Sequence, residues 1–253
     1  MAKTNIGWCT HSLNFYNWDC TRISPGCANC YMMALANRYG KPLLGRPQWR
    51  GAAAFKELRH FPPGAVVFVN DMSDTYHESV PDRWIHSIHN AAAYLRPDCT
   101  FLLLTKRPER AYYMRHLLAW PKNLWLGTSV ENADYLWRLS YLLMTPAAGH
   151  FLSAEPLLGP LDLRYYLGEI GHLTNQGWKP RRPGLKWVIV GGESGPKRRR
   201  FDHAWAKTIL DDCLDYGVPF FFKQGSAFKP GEDRKLCGWE WSQSPFTPST
   251  AVV

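Results

Sequence analysis

Residues 100–120, TFLLLTKRPERAYYMRHLLAW, contain one complete strand–helix unit of the predicted fold. The first six residues form a short apolar run, which is typical of a strand buried on both faces of a parallel sheet. Residues 107–120 then predict a helix. Between them lie Lys106 and Arg107, two cationic residues at the carboxyl end of the strand.

The same alternation recurs along the chain. Further strands are predicted at 65–70, 124–130, 150–155, 187–194 and 218–223. Further helices are predicted at 30–40, 80–95, 131–144 and 202–217. Strands that alternate with helices favour right-handed crossovers and one parallel sheet. With a first strand before Cys20, the sequence predicts an α/β fold, a partial (β/α) barrel of six or seven parallel strands over 1–224, followed by a tail over 225–253 that packs on it or closes it.

Polar residues, with two glycines, lie at or just beyond the carboxyl end of each of these strands. They are Asn70, Asp71 and Asp74; Thr105, Lys106 and Arg107; Ser129 and Glu131; Ser153 and Glu155; Gly191, Gly192, Glu193 and Ser194; and Lys223 and Gln224. Because chemistry in parallel α/β folds gathers at the carboxyl ends of strands, these residues predict a shared ligand site. The two adjacent glycines would let a ligand approach the backbone, or would only form a tight turn.

Three cysteines fall within the stretch WDCTRISPGCANCY at 18–31, namely Cys20, Cys27 and Cys30. The chain has seven cysteines, an odd number, and neither a signal peptide core nor an apolar run that could span a bilayer. These features predict a cytoplasmic protein with reduced thiols, whose clustered cysteines bind metal. Three cysteines leave one ligand position unfilled. Cys9 or His11 could fill it and close a tetrahedral zinc site, or the cysteines could hold an iron–sulfur cluster in which one iron binds a non-protein ligand. The other cysteines are assigned to the core (Cys99 and Cys213) or left ambiguous (Cys237).

Positive charge is concentrated between residues 176 and 200. This segment holds eight basic residues and one acid, and so supplies +7 of the net charge of +9. Local positive charge indicates a polyanionic partner, nucleic acid before membrane, with a solvated charge run as the alternative. The residues predicted to contact nucleic acid are Lys197, Arg198, Arg199 and Arg200. Trp178, Trp187 and Trp205 are candidates for base stacking, although a core position is favoured for Trp187.

Seven stretches together resemble the radical SAM proteins, and among them a phage-associated family of uncharacterised proteins. They are CTRISPGCANCY, VFVNDMSDTYHESVP, FLLLTKRPER, LWLGTSVEN, FLSAEPLLGPLDL, WVIVGGESGP and VPFFFKQ, and they span residues 20–224. The spacing of six residues between the first two cysteines departs from the common radical SAM spacing of three. The tail after Gln224 matches more weakly.

The resemblance implies a [4Fe–4S] cluster held by Cys20, Cys27 and Cys30, S-adenosylmethionine as cofactor, and an electron donor such as flavodoxin or ferredoxin. It makes the polar strand ends candidates for cofactor binding, namely Asn70, Asp71, Ser129, Glu131, Ser153, Gly191, Gly192 and Glu193. Tyr31 would pack near the cofactor or else in the core of its helix. The candidates for catalysis are Lys106, Glu155 and Lys223.

The predicted function is modification or isomerisation of a modified base in phage DNA, in the host cytoplasm if the chain is phage-encoded. Three alternatives stay open. They are a DNA-lesion repair lyase, a radical enzyme acting on a free small molecule, and a nucleic-acid-binding module that carries zinc or a cluster without catalysis.

Overall fold

The computed structural model describes Thr4 and residues 6–168, 170–174 and 177–246, with side chains described outside 170–182. Its strands are β1 His11–Leu13, β2 Val66–Val69, β3 Thr100–Thr105, β4 Leu124–Ser129, β5 Gly149–Ala154, β6 Ile170–Thr174, β7 Gly177–Arg182, β8 Trp187–Gly191 and β9 Phe220–Gln224. Its α-helices are α1 Tyr31–Arg38, α2 Ala52–Arg59, α3 Asp82–Asn90, α4 Pro108–Tyr113, α5 Trp137–Leu143, α6 Arg164–Leu167 and α7 His203–Asp215.

Seven strands form one sheet in the order β1-β2-β3-β4-β5-β8-β9, and β6 and β7 form a separate antiparallel pair. The pairs β1–β2, β2–β3, β3–β4, β5–β8 and β8–β9 are all parallel. All six predicted strands are present, and β1 is the predicted strand before Cys20. The α/β fold of the partial (β/α) barrel class, with seven parallel strands, is therefore confirmed.

The chain divides into two compact units, Met1–Thr128 with Thr145–Ala148 (the N-terminal unit) and Ser129–Met144 with Gly149–Val253 (the C-terminal unit). The boundary predicted after residue 224 separates a barrel domain from a tail and stays a prediction.

Each unit has a core in which strands are covered on both faces. In the N-terminal unit Val67 and Phe101 are register partners and are fully buried. In the C-terminal unit every residue of β8 is buried, and Trp187 pairs in register with the buried Phe151. Trp187 is thus a core residue. Cys99 and Cys213 are buried as predicted.

The helix predicted over 107–120 is shorter than expected, because α4 ends at Tyr113. The Arg115 guanidinium donates to the carbonyl of Tyr112 at 2.8 Å, and so satisfies a backbone acceptor that a further helical turn would have used. The predicted helix over 131–144 divides into a 3-10 turn, Ala133–Tyr135, and α5. The predicted helix over 80–95 comprises α3 and a π-helical segment, Ala91–Leu95.

The tail after β9 packs on that strand as far as the structure describes it. Phe222 donates its N–H to the carbonyl of Trp241 at 2.8 Å, and Gln243 donates its N–H to that of Phe220 at 3.1 Å. The Trp187 indole donates to the carbonyl of Gln243 at 2.9 Å. Residues 247–253 of the predicted tail lie outside the described residues. The side chains of Trp178, Lys179, Arg181 and Arg182, which belong to the predicted stacking surface and basic segment, also lie outside them.

None of the helices in the described ranges combines the length and the apolar character that crossing a bilayer requires.

His89 is expected to make the N-terminal unit less stable in acid. Its buried ring hydrogen bonds through Nδ1 to the carbonyl of Ala119 and through Nε2 to the hydroxyl of Tyr76, and burial lowers its pKa to about 4. The unfolded chain takes up this proton near pH 6.5, the ordinary value for histidine. Stability is therefore complete above that pH and falls by about 3 kcal/mol as the pH drops to the folded value. Urea unfolding across this window measures the change. His89→Gln should flatten the pH profile, exposed His60→Gln should not, and equal slopes in all three proteins would contradict the assignment.

Candidate functional site

The loop that follows β1 carries the three clustered cysteines. Pro25–Cys27 forms a 3-10 turn that Pro25 starts at its first position, and Cys30 caps the N-terminus of α1. The backbone N–H of Cys30 donates to the carbonyl of Cys27 at 3.4 Å. The local turn therefore places the backbones of Cys27 and Cys30 next to each other in the loop after β1.

Cys20 joins them through packing. Cys20 and Cys30 both pack against an apolar cluster formed by Met32, Met33, Ala36 and Met72. Burial raises the pKa of the Cys20 thiol to about 12, and the charges of Asp74 and of Cys27 add to this effect while Arg107 opposes it.

The chemistry of this donor set fits a thiolate-bound metal or cluster. All three cysteines are free of disulfides, and two of them, Cys20 and Cys30, pack against methionine side chains. The Arg107 guanidinium lies 3.9 Å from Cys20 Sγ, where it would offset thiolate charge. Within the ranges that the structure describes, no group of three or more His, Cys, Asp or Glu side chains is arranged to hold a metal ion. The three cysteines therefore fit a metal site by their residue type and by their position in one loop. Their side chains do not form a coordination geometry.

Cys9 and His11, the alternative zinc ligands, make contacts elsewhere. Cys9 Sγ lies 3.9 Å from the carbonyl of Ile6. The centroid of the His11 ring lies 4.8 Å from that of the Phe61 ring, and His11 Nδ1 hydrogen bonds with the Thr10 hydroxyl at 2.8 Å.

The Asp74 side chain hydrogen bonds to three consecutive residues at the carboxyl end of β3. Its carboxylate accepts from the Thr105 hydroxyl at 2.7 Å, from the Lys106 backbone N–H at 3.1 Å and from the Arg107 guanidinium at 3.1 Å. Lys106, a predicted catalytic residue, thus lies at a strand end that is tied to the residues after β2.

Arg107 connects this strand end to the cysteine loop. Its guanidinium donates to the Thr21 hydroxyl at 2.7 Å and to the Glu78 carboxylate at 2.6 Å. Partial burial would raise the pKa of Glu78, but hydrogen bonds from its own backbone N–H, Arg107 and Thr21 lower that pKa to about 2. The carboxylate is therefore charged at neutral pH. Sequence reasoning named Arg107 only as a polar strand end and missed Thr21 and Glu78, although both stand in stretches that carry the resemblance.

Asn70 and Asp71 support the loop after β1. Asn70 adopts a left-handed backbone with φ of 56°, and its side chain accepts from the Phe15 N–H at 2.7 Å and donates to the Thr75 hydroxyl at 2.9 Å. The Tyr31 hydroxyl donates to the Asp71 carbonyl. Tyr31 is 50% exposed, which places it outside the helix core and leaves its ring accessible beside the cysteines. Asn70 thus has internal partners at both ends of its amide.

A second polar cluster lies at the strand ends of the C-terminal unit. Lys223 Nζ lies 2.9 Å from Glu155 Oε1, and the Ser153 hydroxyl donates to Glu155 Oε2 at 3.1 Å. A Cβ at Gly191 would lie 2.8 Å from Glu155 Oε1, and one at Gly192 would lie 2.7 Å from the Gly225 backbone. Packing against the chain itself thus accounts for both glycines. Two predicted catalytic residues, Glu155 and Lys223, meet here as an ion pair.

Glu131 is fully buried in an ion pair with Arg138. The Arg138 guanidinium lies 3.0 Å from Glu131 Oε2 and donates to the Ser129 carbonyl at 2.9 Å. Both side chains of the pair are at most 1% exposed. Ser129 and Ser153 are also buried. These strand-end candidates contribute to the interior of the unit.

The basic segment after β8 borders a cavity of about 400 Å³. Its lining residues are Arg198, Arg199, Arg200, Phe201, His203, Ser226 and Asp233. Glu193, predicted to bind cofactor, instead forms an ion pair with Arg199 and also accepts from its backbone N–H at 2.8 Å. Cationic side chains and an apolar wall together suit an anionic ligand with a ring or sugar attached.

The comparisons give a family and no named relative. A family model described as "Protein of unknown function (DUF5131)" matches residues 3–245. Neither the curated proteins nor the solved structures gave a match to this chain.

Proposed function

Because the chain belongs to the DUF5131 family, whose description names no activity, we propose a function from its own residues: a radical SAM enzyme that acts on nucleic acid. The observation that carries the proposal is the loop after β1. It presents three cysteines without disulfides from one turn-rich segment, two of which, Cys20 and Cys30, pack against an apolar methionine cluster. Three protein ligands would leave the fourth position for a non-protein ligand.

In this proposal Cys20, Cys27 and Cys30 hold a [4Fe–4S] cluster. When bound, the cluster would supply the electron that breaks a carbon–sulfur bond of S-adenosylmethionine, which would release methionine and a 5′-deoxyadenosyl radical able to abstract hydrogen from the substrate. Met32, Met33 and Met72 provide an apolar surface beside Cys20 and Cys30, which would limit the access of water to a bound cluster and so protect radical chemistry from side reactions. Arg107 holds the loop to the end of β3 through Thr21.

The strand ends of the C-terminal unit supply the candidate acid–base groups. The Glu155–Lys223 pair combines a carboxylate and an ammonium at 2.9 Å, with the Lys223 side chain 39% exposed and the Glu155 side chain 15% exposed. Such a pair can hold a proton between two groups and can exchange partners with a bound ammonium or carboxylate. Lys106 remains a third candidate at the end of β3.

Nucleic acid is the proposed substrate because the positive charge lies beside this strand end. Lys197 to Arg200 follow β8 within a few residues, and three of them line the cavity of about 400 Å³. Arginine side chains of this kind bind phosphates and make binding depend strongly on salt. Modification or isomerisation of a modified base in phage DNA is the proposed reaction class, which would place the protein in the host cytoplasm.

Anaerobic reconstitution tests the radical part. The protein loaded with iron and sulfide, reduced with dithionite as a substitute for flavodoxin or ferredoxin, should convert S-adenosylmethionine to 5′-deoxyadenosine. Visible cluster absorbance should accompany this product. A reconstituted protein that forms no 5′-deoxyadenosine would overturn the proposal and favour a binding module. Formation that is unaffected by DNA and stimulated by a small molecule would favour the small-molecule enzyme.

A further inference from the structure

The cavity beside the basic segment has a composition that the radical chemistry does not need. It is lined by three consecutive arginines and by a histidine–aspartate pair. His203 Nε2 lies 3.2 Å from Asp233 Oδ2, and both side chains are partly exposed, 46% and 38%. The volume of about 400 Å³ lies in the range of small-ligand sites. A single phosphate would leave most of this space unfilled.

The three arginines differ in what they already bind. Arg199 is neutralised by Glu193 through its guanidinium, and its own carbonyl accepts from the Ser226 hydroxyl at 2.7 Å. Arg198 donates to the Gly195 carbonyl at 3.1 Å and stands over the Phe228 ring at 5.9 Å, both neutral partners. The Arg200 guanidinium makes no hydrogen bond or ion pair with the part of the chain that the structure describes. Two guanidinium charges therefore border the cavity without an opposing carboxylate of their own.

His203 is held in place at the cavity wall. Its ring contacts those of Phe201 and Phe222, at 5.1 Å and 6.1 Å. Asp233 has a left-handed backbone with φ of 54°, and its carbonyl accepts from the Gly225 N–H at 2.8 Å. A Cβ at Gly225 would lie 1.8 Å from Asp233 Oδ2, so only glycine leaves room for the carboxylate that orients the imidazole. With Asp233 accepting from Nε2, the doubly protonated ring presents its Nδ1–H to a phosphate oxygen and balances the charge of the Asp233 carboxylate.

We propose that this cavity binds a nucleotide through a terminal phosphate, with Arg198, Arg200 and His203 as the phosphate ligands. The charge match carries the choice of ligand. A phosphomonoester bears close to two negative charges at neutral pH, which equals the two guanidinium charges without an opposing carboxylate, whereas an internal phosphodiester bears one. The remaining volume, beside the buried Phe201 ring, takes the sugar and base.

This inference rests on the nucleic-acid part of the proposed function and names the group that would be recognised. The ligand would be either a free mononucleotide or the phosphorylated end of a DNA strand, since both present the same phosphomonoester. The radical chemistry is not needed for this binding, so the protein as purified can be used.

Isothermal titration calorimetry with the full chain at low salt tests the site. The probes are deoxyadenosine 5′-monophosphate, deoxyadenosine, and a short single-stranded oligonucleotide with and without a 5′-phosphate. The phosphorylated probes should bind, and the nucleoside should not. Arg200→Ala should weaken binding of the mononucleotide by about tenfold or more, because a charge-assisted hydrogen bond is lost at an exposed position where folding is unaffected. His203→Ala should weaken it as well.

Arg83→Ala is the matched control, since it removes an exposed arginine from α3 in the other unit and should leave binding unchanged. An equal loss in Arg83→Ala and Arg200→Ala would overturn the inference, because the effect would then come from net charge. Equal binding of the oligonucleotide with and without its 5′-phosphate would overturn it too, while leaving backbone binding and the proposed function in place. Absence of 5′-deoxyadenosine in a protein that still binds the mononucleotide would reject the radical function alone.

Discussion

Cys27→Ala is expected to abolish iron retention after anaerobic reconstitution. Cys27 closes the 3-10 turn and is the most buried of the three clustered cysteines, with an exposure of 8%. With two thiolates left, the loop could no longer hold a cluster through three irons. The measurement is bound iron and sulfide per chain after gel filtration, together with visible absorbance.

Cys237→Ala is the control for that experiment, because Cys237 is exposed and belongs to the C-terminal tail, outside the cysteine loop. It should retain iron at the level of the parent protein. Circular dichroism of both apo variants separates loss of the ligand from loss of the fold. Iron binding that survives Cys27→Ala in a folded protein would show that the ligand set is wrong.

Glu131→Gln is expected to lower the free energy of unfolding by about 3–5 kcal/mol. The substitution keeps the shape of the side chain and removes its charge, so that Arg138 is left buried without its carboxylate at 3.0 Å. Such a loss exceeds what a surface ion pair contributes. Urea unfolding of the apo protein measures it, independently of any cofactor.

Two further variants make this second test specific. Asp211→Asn removes the carboxylate of the exposed pair with Lys207, at 2.6 Å, and should change stability by no measurable amount. Glu131→Leu combined with Arg138→Met replaces the buried pair by apolar side chains and should recover much of the loss. If Glu131→Gln is as stable as the parent protein, Glu131 does not have the interior role that its burial indicates.

The sequence was sufficient for six strands of the parallel sheet because each of these six is a short apolar run that both faces of the sheet bury. Residues 100–105 illustrate this, since the predicted and observed strands coincide, while the strand predicted over 187–194 begins at Trp187 as expected and ends at Gly191. The helix over 107–120 was predicted too long, because periodicity does not reveal that Arg115 caps the carbonyl of Tyr112. The two-unit division was missed because it depends on contacts between residues far apart in the chain.

The residue types of the candidate site could be predicted from the sequence. The hydrogen-bond and ion-pair partners of these residues could be predicted only in part. The polar residues after β2 and β3 do meet, as do those after β5 and β9, because parallel strands bring their carboxyl ends to one edge. Pattern alone could not distinguish Glu155, whose ion pair with Lys223 is partly exposed, from Glu131, whose pair with Arg138 is closed to solvent. Both are glutamates two residues beyond a polar strand-end serine.

The sequence by itself determined the parallel α/β fold, the shared loop of three cysteines and the concentration of charge after β8. Each of these depends on residues that are adjacent or regularly spaced. Only the tertiary structure decided which charged groups are already paired. Arg107 reaches Asp74 across 33 positions, and Asp233 reaches His203 from the tail. A charge is free to act on a ligand only when folding has not supplied it with an opposite charge, and the partner in these cases lies far away in the chain.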